Sequence, residues 1–364
     1  MPPAQPNVEA VLAEKKAPQE TALPAYLCTA YTVLIVYASL HPFSGWRDRG
    51  LPTLTFLEAG WPRYWTVFDL AFNVLAYLPL GFLLTLSLRR RAGRWLAAVT
   101  ALLIGVLLSF GLECIQTWLP ARVASNIDLS TNALGCALGA LLALWHDASL
   151  FEKIARLQRL LLAPKPHAEL GLVVIGLWLL LQLSPETLLF GSGDLRQLLD
   201  LASAVPYAAH SFFVMETGIT VCNMIAVGLL ARTLMANRGS PAAVLTTLFA
   251  VALIVRTLAA AILVAPGEAL AWLTPGASLG LLVGAALLAA LLWLPASLRI
   301  ALAGLMLMAG TVLVNVTPPN PYSAAALATW RQGHFLNFNG LTRLTASLWP
   351  FIALPYLTSL GRRL

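Results

Sequence analysis

Glu113, Gln116, Arg122, Ser125, Asp128 and Asn132 lie between and within two long apolar runs of this chain, and Asp69 and Asn73 open the run before them. Carboxylates, a guanidinium and amides beside hydrocarbon are expensive, so such groups pair with one another or perform a task. Arg122 offers a forked cation that suits a phosphate or sugar headgroup. Glu113 or Asp128 offers a general acid or base, with Arg122 as an electrophile beside it. Asn73 and Asn132 offer amides, which at membrane depth bond between helices or to a ligand.

The spacing says how these groups are carried. Asp128, Asn132, Gly135 and Gly139 stand at i, i+4, i+7 and i+11, one stripe of a helix. Gly135 and Gly139 have the separation that lets another helix approach closely, so the stripe also reads as a packing seam. Glu113 and Gln116 share a face near the end of the preceding helix, which Pro120 terminates. The short loop that follows keeps Arg122 near Glu113 and Asp128. A Glu–Arg–Asp ion network is expected there, acting as a hairpin clamp or as the holder of a polar headgroup. Asp69 and Asn73 are i, i+4 on an earlier helix that Pro79 and Gly81 can bend. Further on, Arg256 needs a carboxylate, and Glu216 is its candidate partner in an intramembrane ion pair.

The elements that must position these groups follow from composition. Of 364 residues, 59% are hydrophobic and 11% charged. Mean hydropathy is +0.78. Soluble domains are roughly 25% charged. Apolar runs recur along nearly the whole chain without alternation, which predicts an all-α polytopic transmembrane bundle and argues against a β-barrel. About ten spans are predicted, at 23–41, 67–88, 95–118, 126–146, 169–184, 208–234, 242–264, 273–294, 298–316 and 339–360. The net charge of +7 sits mostly in loops on one side, including Arg89, Arg90, Arg91, Arg94, Lys153, Arg156, Arg232 and Arg299. The positive-inside rule then places both termini in the cytoplasm and the polar strip outward, and it accounts for the basic excess without nucleic acid.

Weak internal similarities share a common order. Phe72-Asn73-Val-Leu-Ala-Tyr pairs with Cys222-Asn223-Met-Ile-Ala-Val, and spans one and five both run into a proline, Pro42 and Pro185. The reading is 4+4+2 spans in degenerate parallel repeats. It gives a disordered cytoplasmic tail at 1–22, a four-helix unit at 23–147, a basic linker at 148–168, a second unit at 169–297 and a helix pair at 298–364.

The series Asp69-x3-Asn73, Pro79-x-Gly81, Glu113-x2-Gln116-x3-Pro120-x-Arg122-x2-Ser125-x2-Asp128-x3-Asn132-x2-Gly135-x3-Gly139 resembles the VanZ-like family of bacterial membrane proteins over about 25–146. The resemblance implies a four-helix unit in the bacterial cytoplasmic membrane. The family's founding member contributes to resistance to the glycopeptide teicoplanin. The second unit departs from the pattern, with Ile219, Leu263, Trp272 and Leu282 where Asp69, Glu113, Arg122 and Asn132 stand in the first.

Cys28, Cys114, Cys136 and Cys222 lack metal-ligand spacing and read as small buried hydrophobes, so no metal and no cofactor is expected. A lone His334 is a weak candidate for a base. The expected function is a non-enzymatic envelope protein. It would bind membrane lipid, a lipid-linked precursor or a lipoglycopeptide in an outward groove lined by Asp69, Asn73, Glu113, Gln116, Arg122, Ser125, Asp128 and Asn132. An intramembrane enzyme and a lipid flippase are the alternatives.

Overall fold

The structure, a computed structural model, describes residues 22–48, 50, 52–61, 65–145, 162–163, 168–196, 199, 206–236, 240–318 and 336–362. The expected N-terminal tail, most of the basic linker and His334 lie outside these residues. Among the described residues the regular structure is helical, with one isolated antiparallel bridge between Leu162 and Met235. The helices are α1 Leu23–Leu40, the short α2 Thr55–Glu58, α3 Val67–Ala92, α4 Arg94–Gln116, α5 Asn126–Trp145, α6 Ala168–Leu181, α7 Ala209–Leu234, α8 Pro241–Leu263, α9 Pro275–Leu291, α10 Ala296–Val316 and α11 Leu336–Gly361.

Each predicted apolar run falls on a helix. Seven of these helices, α1, α3, α4, α5, α7, α8 and α10, are long and apolar enough to cross a membrane. Helices α6 and α9 are apolar but shorter, and α11, with Asn337, Asn339 and Arg343 in its first turns and two internal prolines, is not among the seven. Length and composition therefore support a polytopic helical membrane protein with fewer self-evident spans than ten.

Local rules set the helix ends. Thr66 caps α3: its hydroxyl accepts from the Asp69 N–H at 3.1 Å, and the Asp69 carboxylate accepts from the Thr66 N–H at 3.1 Å. This reciprocal capping box fixes where the helix starts. The helix then runs through Pro79 to Ala92. Gly93, at φ 77°, makes the sharp joint between α3 and α4, a conformation that suits a residue without Cβ. Ser125 starts α5, its hydroxyl accepting from the N–H groups of Ile127 at 3.2 Å and Asp128 at 3.5 Å. Ser240 and Thr274 cap α8 and α9 in the same way, each followed by a proline at the first helical position.

Packing divides the core in two. In the first half Cys28, Ile35, Tyr77, Leu80, Leu112, Leu119 and Cys136 form one buried cluster. In the second, Trp178, Phe190, Phe249, Leu307 and Trp349 centre a larger one. Helix α3 lies along α5, α7 packs between α9 and α10, and α1 touches both halves through α3 and α4 on one side and α6 and α11 on the other. The α3–α5 approach is close enough that a Cβ on Gly135 would overlap the Val74 carbonyl, and one on Gly139 the Leu78 carbonyl. From the other side, a Cβ on Gly81 would overlap the Cys136 carbonyl. Leu75, Leu103, Leu107, Leu141, Ile262 and Leu282 point outward, as lipid-facing side chains do. Trp46, Trp61, Trp65, Trp95, Trp118, Trp145 and Trp293 are exposed near helix ends, the distribution of an aromatic belt.

Candidate functional site

The polar residues of the first half gather where α1 and α4 end and α3 and α5 begin. Glu113 sits in the last turn of α4 with a relative exposure of 4%. Its Oε2 accepts a hydrogen bond from the Ser125 backbone N–H at 2.9 Å. One turn into α5, Asp128 Oδ1 accepts from Asn73 Nδ2 of α3 at 2.9 Å. A further turn along, Asn132 Nδ2 donates to the Ser109 hydroxyl of α4 at 2.9 Å. The Tyr77 phenol meets the same Ser109 hydroxyl. Gln116 Nε2 donates to the Ser39 carbonyl at the end of α1, at 2.9 Å.

Arg122 departs from expectation. Among the described residues it has no ion pair with Glu113 or Asp128 within 4.0 Å. Its Nε donates instead to the His41 carbonyl at 2.9 Å and its Nη2 to the Ala38 carbonyl at 2.7 Å. A helix C-terminus leaves its last carbonyls without intrahelical donors and carries the negative end of the helix dipole. A guanidinium fork satisfies both needs at once, which is why it turns to α1 rather than to the carboxylates. The carboxylates still act on it at longer range: burial lowers the Arg122 pKa, and the charges of Glu113 and Asp128 push it back up. The ion network is thus a charge neighbourhood without direct contact.

The carboxylates are also coupled to each other, Glu113 to Asp128 and Asp128 to Asp69. Each uses one oxygen: Glu113 on the Ser125 N–H, Asp128 on Asn73, Asp69 on the Thr66 cap. Their other oxygens accept no hydrogen bond among the described residues. Asp69 is exposed and spends its bonded oxygen on its own helix start, so its local role is structural. The buried amide oxygens of Asn126 and Asn132 likewise have no donor among the described residues. The result is a site rich in acceptors and poor in available donors.

Residues 18–148 match the family described as VanZ/LLP1. These residues, which hold helices α1 to α5, form a unit similar to the VanZ-like family, the VanZ-like unit. Comparison with curated proteins and with solved structures gave no match.

Two members of the VanZ-like unit's polar cluster escaped sequence reasoning. Ser109 stands one turn before Glu113 on α4, and Tyr77 one turn after Asn73 on α3, both buried. The i, i+4 spacing from residues already singled out was the signal that could have found them. Among the described residues no group of His, Cys, Asp and Glu is arranged to hold a metal. The four cysteines are free, with Cys28 and Cys136 buried.

Outside the VanZ-like unit, the expected Glu216–Arg256 ion pair is replaced by other contacts. Arg256, 3% exposed, donates from Nη1 to the Ser184 carbonyl and, at 2.9 Å, to the Thr187 hydroxyl, and from Nη2 to the Thr187 carbonyl. These carbonyls belong to a non-helical stretch after α6 in which Ser184, Leu189, Phe190, Gly191 and Ser192 are buried. Backbone of that kind is tolerated at membrane depth only when partners inside the protein satisfy it. Asn315 completes the job, accepting from the Leu195 N–H at 3.0 Å and donating to the Gly193 carbonyl at 2.7 Å. Glu216 meets Thr274 at the start of α9 and packs against Gly276, away from the arginine.

Proposed function

We propose that the VanZ-like unit binds the headgroup of an amphiphile at the cluster of Glu113, Asp128, Asn73 and Asn132, with its apolar helix faces holding the tail. The observation that carries this reading is the surplus of acceptors. Glu113 and Asp128 each keep an oxygen without a donor among the described residues, and the buried amide oxygens of Asn126 and Asn132 do the same. Unsatisfied acceptors, the two buried amide oxygens above all, favour a ligand that brings donors. The headgroup class is therefore one of hydroxyls or an ammonium rather than a bare anion, because the guanidinium that would have met an anion is engaged with the Ala38 and His41 carbonyls. A lipoglycopeptide has this chemistry: sugar hydroxyls, an amine and an acyl tail. The family's association with teicoplanin resistance is consistent with it, and a lipid-linked envelope precursor bearing amino sugars is the related candidate. The reading places the cluster on the outer side of a bacterial cytoplasmic membrane, where the loop charges put it. Catalysis by Glu113 loses its expected electrophile once Arg122 is occupied.

The test is binding of teicoplanin to the full chain in phosphatidylcholine nanodiscs, against a glycopeptide without the acyl tail. The wild type is expected to prefer the acylated ligand. Asp128→Asn and Glu113→Gln are each expected to weaken it about tenfold, roughly the worth of one charge-assisted hydrogen bond. Equal binding by wild type and both variants overturns the proposal.

A further inference from the structure

We propose that the opposite end of the bundle carries a second, independent site, an anion seat for a phosphate group between Arg232 and Arg299. It does not depend on the headgroup reading above.

Helices α7 and α10 pack antiparallel. Gly218 meets Leu313, and Asn223 meets Gly310. The same register, carried toward the end of α7 and the start of α10 at 1.5 Å per residue, sets Arg232 opposite Arg299. The charge of Arg232 acts on Arg299. Both side chains are half-buried, and the Nε atom of each is buried without an acceptor. Arg299 has one weak contact, from Nη1 to the Leu292 carbonyl at 3.4 Å. Neither arginine is in an ion pair among the described residues.

The local field makes this pairing more demanding. Arg299 lies in the first turn of α10, where the helix dipole is already positive and the backbone N–H groups point outward. Pro295 precedes the helix and gives it no side-chain cap. Two guanidinium groups and an uncapped helix start therefore converge with no carboxylate partner among the described residues. Like charges held together in a partly desolvated place raise the energy of the protein alone, and an anion arriving between them lowers it. Arginine forks and helix N-termini both match phosphate geometry.

The location narrows the source. Ala163 N–H donates to the Leu234 carbonyl at 2.8 Å, and the Ala22 N–H to Glu169. These contacts tie the end of α7 to the starts of α6 and α1, the end of the bundle remote from Arg122. A phosphate at that rim comes from a lipid headgroup or from solution.

Native mass spectrometry of the full chain, released from nanodiscs containing phosphatidylglycerol and phosphatidylcholine, tests the seat. Wild type is expected to retain phosphatidylglycerol. The Arg232→Ala/Arg299→Ala pair is expected to lose it by tenfold or more, while Arg91→Ala, an exposed arginine at the start of the chain's turn into α4, leaves it unchanged. Competition with inorganic phosphate separates the sources: displacement assigns a soluble anion, and resistance assigns the lipid. Should the alanine pair fail to fold, Arg232→Lys/Arg299→Lys replaces it; lysine keeps the charge but has no Nε–H fork, so reduced retention is again expected. Retention equal to wild type in the folded double variant, or an equal loss in Arg91→Ala, overturns the proposal.

Discussion

Glu113 Oε2 holds the Ser125 backbone N–H at 2.9 Å, so a buried carboxylate at the end of one helix fastens the start of the next. The bond closes the α4–α5 hairpin over a loop that also contains Arg122. Replacing Glu113 by leucine leaves the Ser125 N–H buried without an acceptor, a loss of about 1–3 kcal/mol. Glu113→Gln keeps a carbonyl oxygen in place and should cost less than about 1 kcal/mol. Unfolding in a denaturing-detergent titration measures both. If the leucine and glutamine variants unfold together, the bond is not what holds the hairpin.

Arg122 ties the same loop to α1 through the Ala38 and His41 carbonyls. Arg122→Met removes two charge-assisted donors and strands two helix-end carbonyls, which should cost about 2–3 kcal/mol. Arg122→Lys restores the charge but reaches one carbonyl at a time, so its stability should fall between the two. Had the arginine paired with Glu113, Glu113→Gln would rescue part of the Arg122→Met defect. The observed contacts predict only the small rescue that charges at longer range allow, and a double-mutant cycle with the coupling of a direct ion pair would contradict them.

The α3–α5 seam makes a prediction with a built-in control. A Cβ on Gly139 would overlap the Leu78 carbonyl, which is backbone and has no rotamer to yield. Gly139→Ala should force the helices apart and cost about 1–3 kcal/mol, the usual range for overpacking. Gly111, on α4, has nothing within 4 Å of its would-be Cβ. Gly111→Ala should be neutral or stabilising by up to about 1 kcal/mol through helix propensity. Equal thermal shifts for the two variants would show that the close approach is not maintained.

The apolar runs announced the helices because a membrane segment carries its own signal, length and hydropathy, and needs no partner to be recognised. The stripe of Asp128, Asn132, Gly135 and Gly139 was legible for a similar reason: helical periodicity fixes which residues share a face. Arg122 and Arg256 were misread because a carboxylate is visible in a sequence as a partner and a carbonyl is not. Every residue has a carbonyl, and only the fold says which ones are left without a donor. The capping contact of Asp69 was legible too, in the spacing Thr66-x-x-Asp69, beside the aspartate's place in the polar series. Ser109 was overlooked because a lone serine in an apolar helix is unremarkable until the amide of Asn132 is brought to it.

His41 gives a pH dependence whose sign can be fixed. It follows α1, its carbonyl is bound by Arg122, and its ring lies against Tyr37 and Gly340 of α11. Burial, and then the charges of Arg122 and Arg343, hold its pKa below the ordinary 6.5. A folded-state pKa below the unfolded one means that the folded protein resists protonation. The associated stability is fully present above the unfolded value and is lost as pH falls through the folded one. Between pH 7 and pH 5 the wild type should therefore lose more thermal stability than His41→Gln, which has no proton to take up. The ring is only partly buried, so solvent screening keeps the difference small, on the order of a few degrees. Melting curves of both proteins in matched buffers decide it. Parallel loss in the two would assign the acid sensitivity to other groups and leave His41 as a packing residue between α1 and α11.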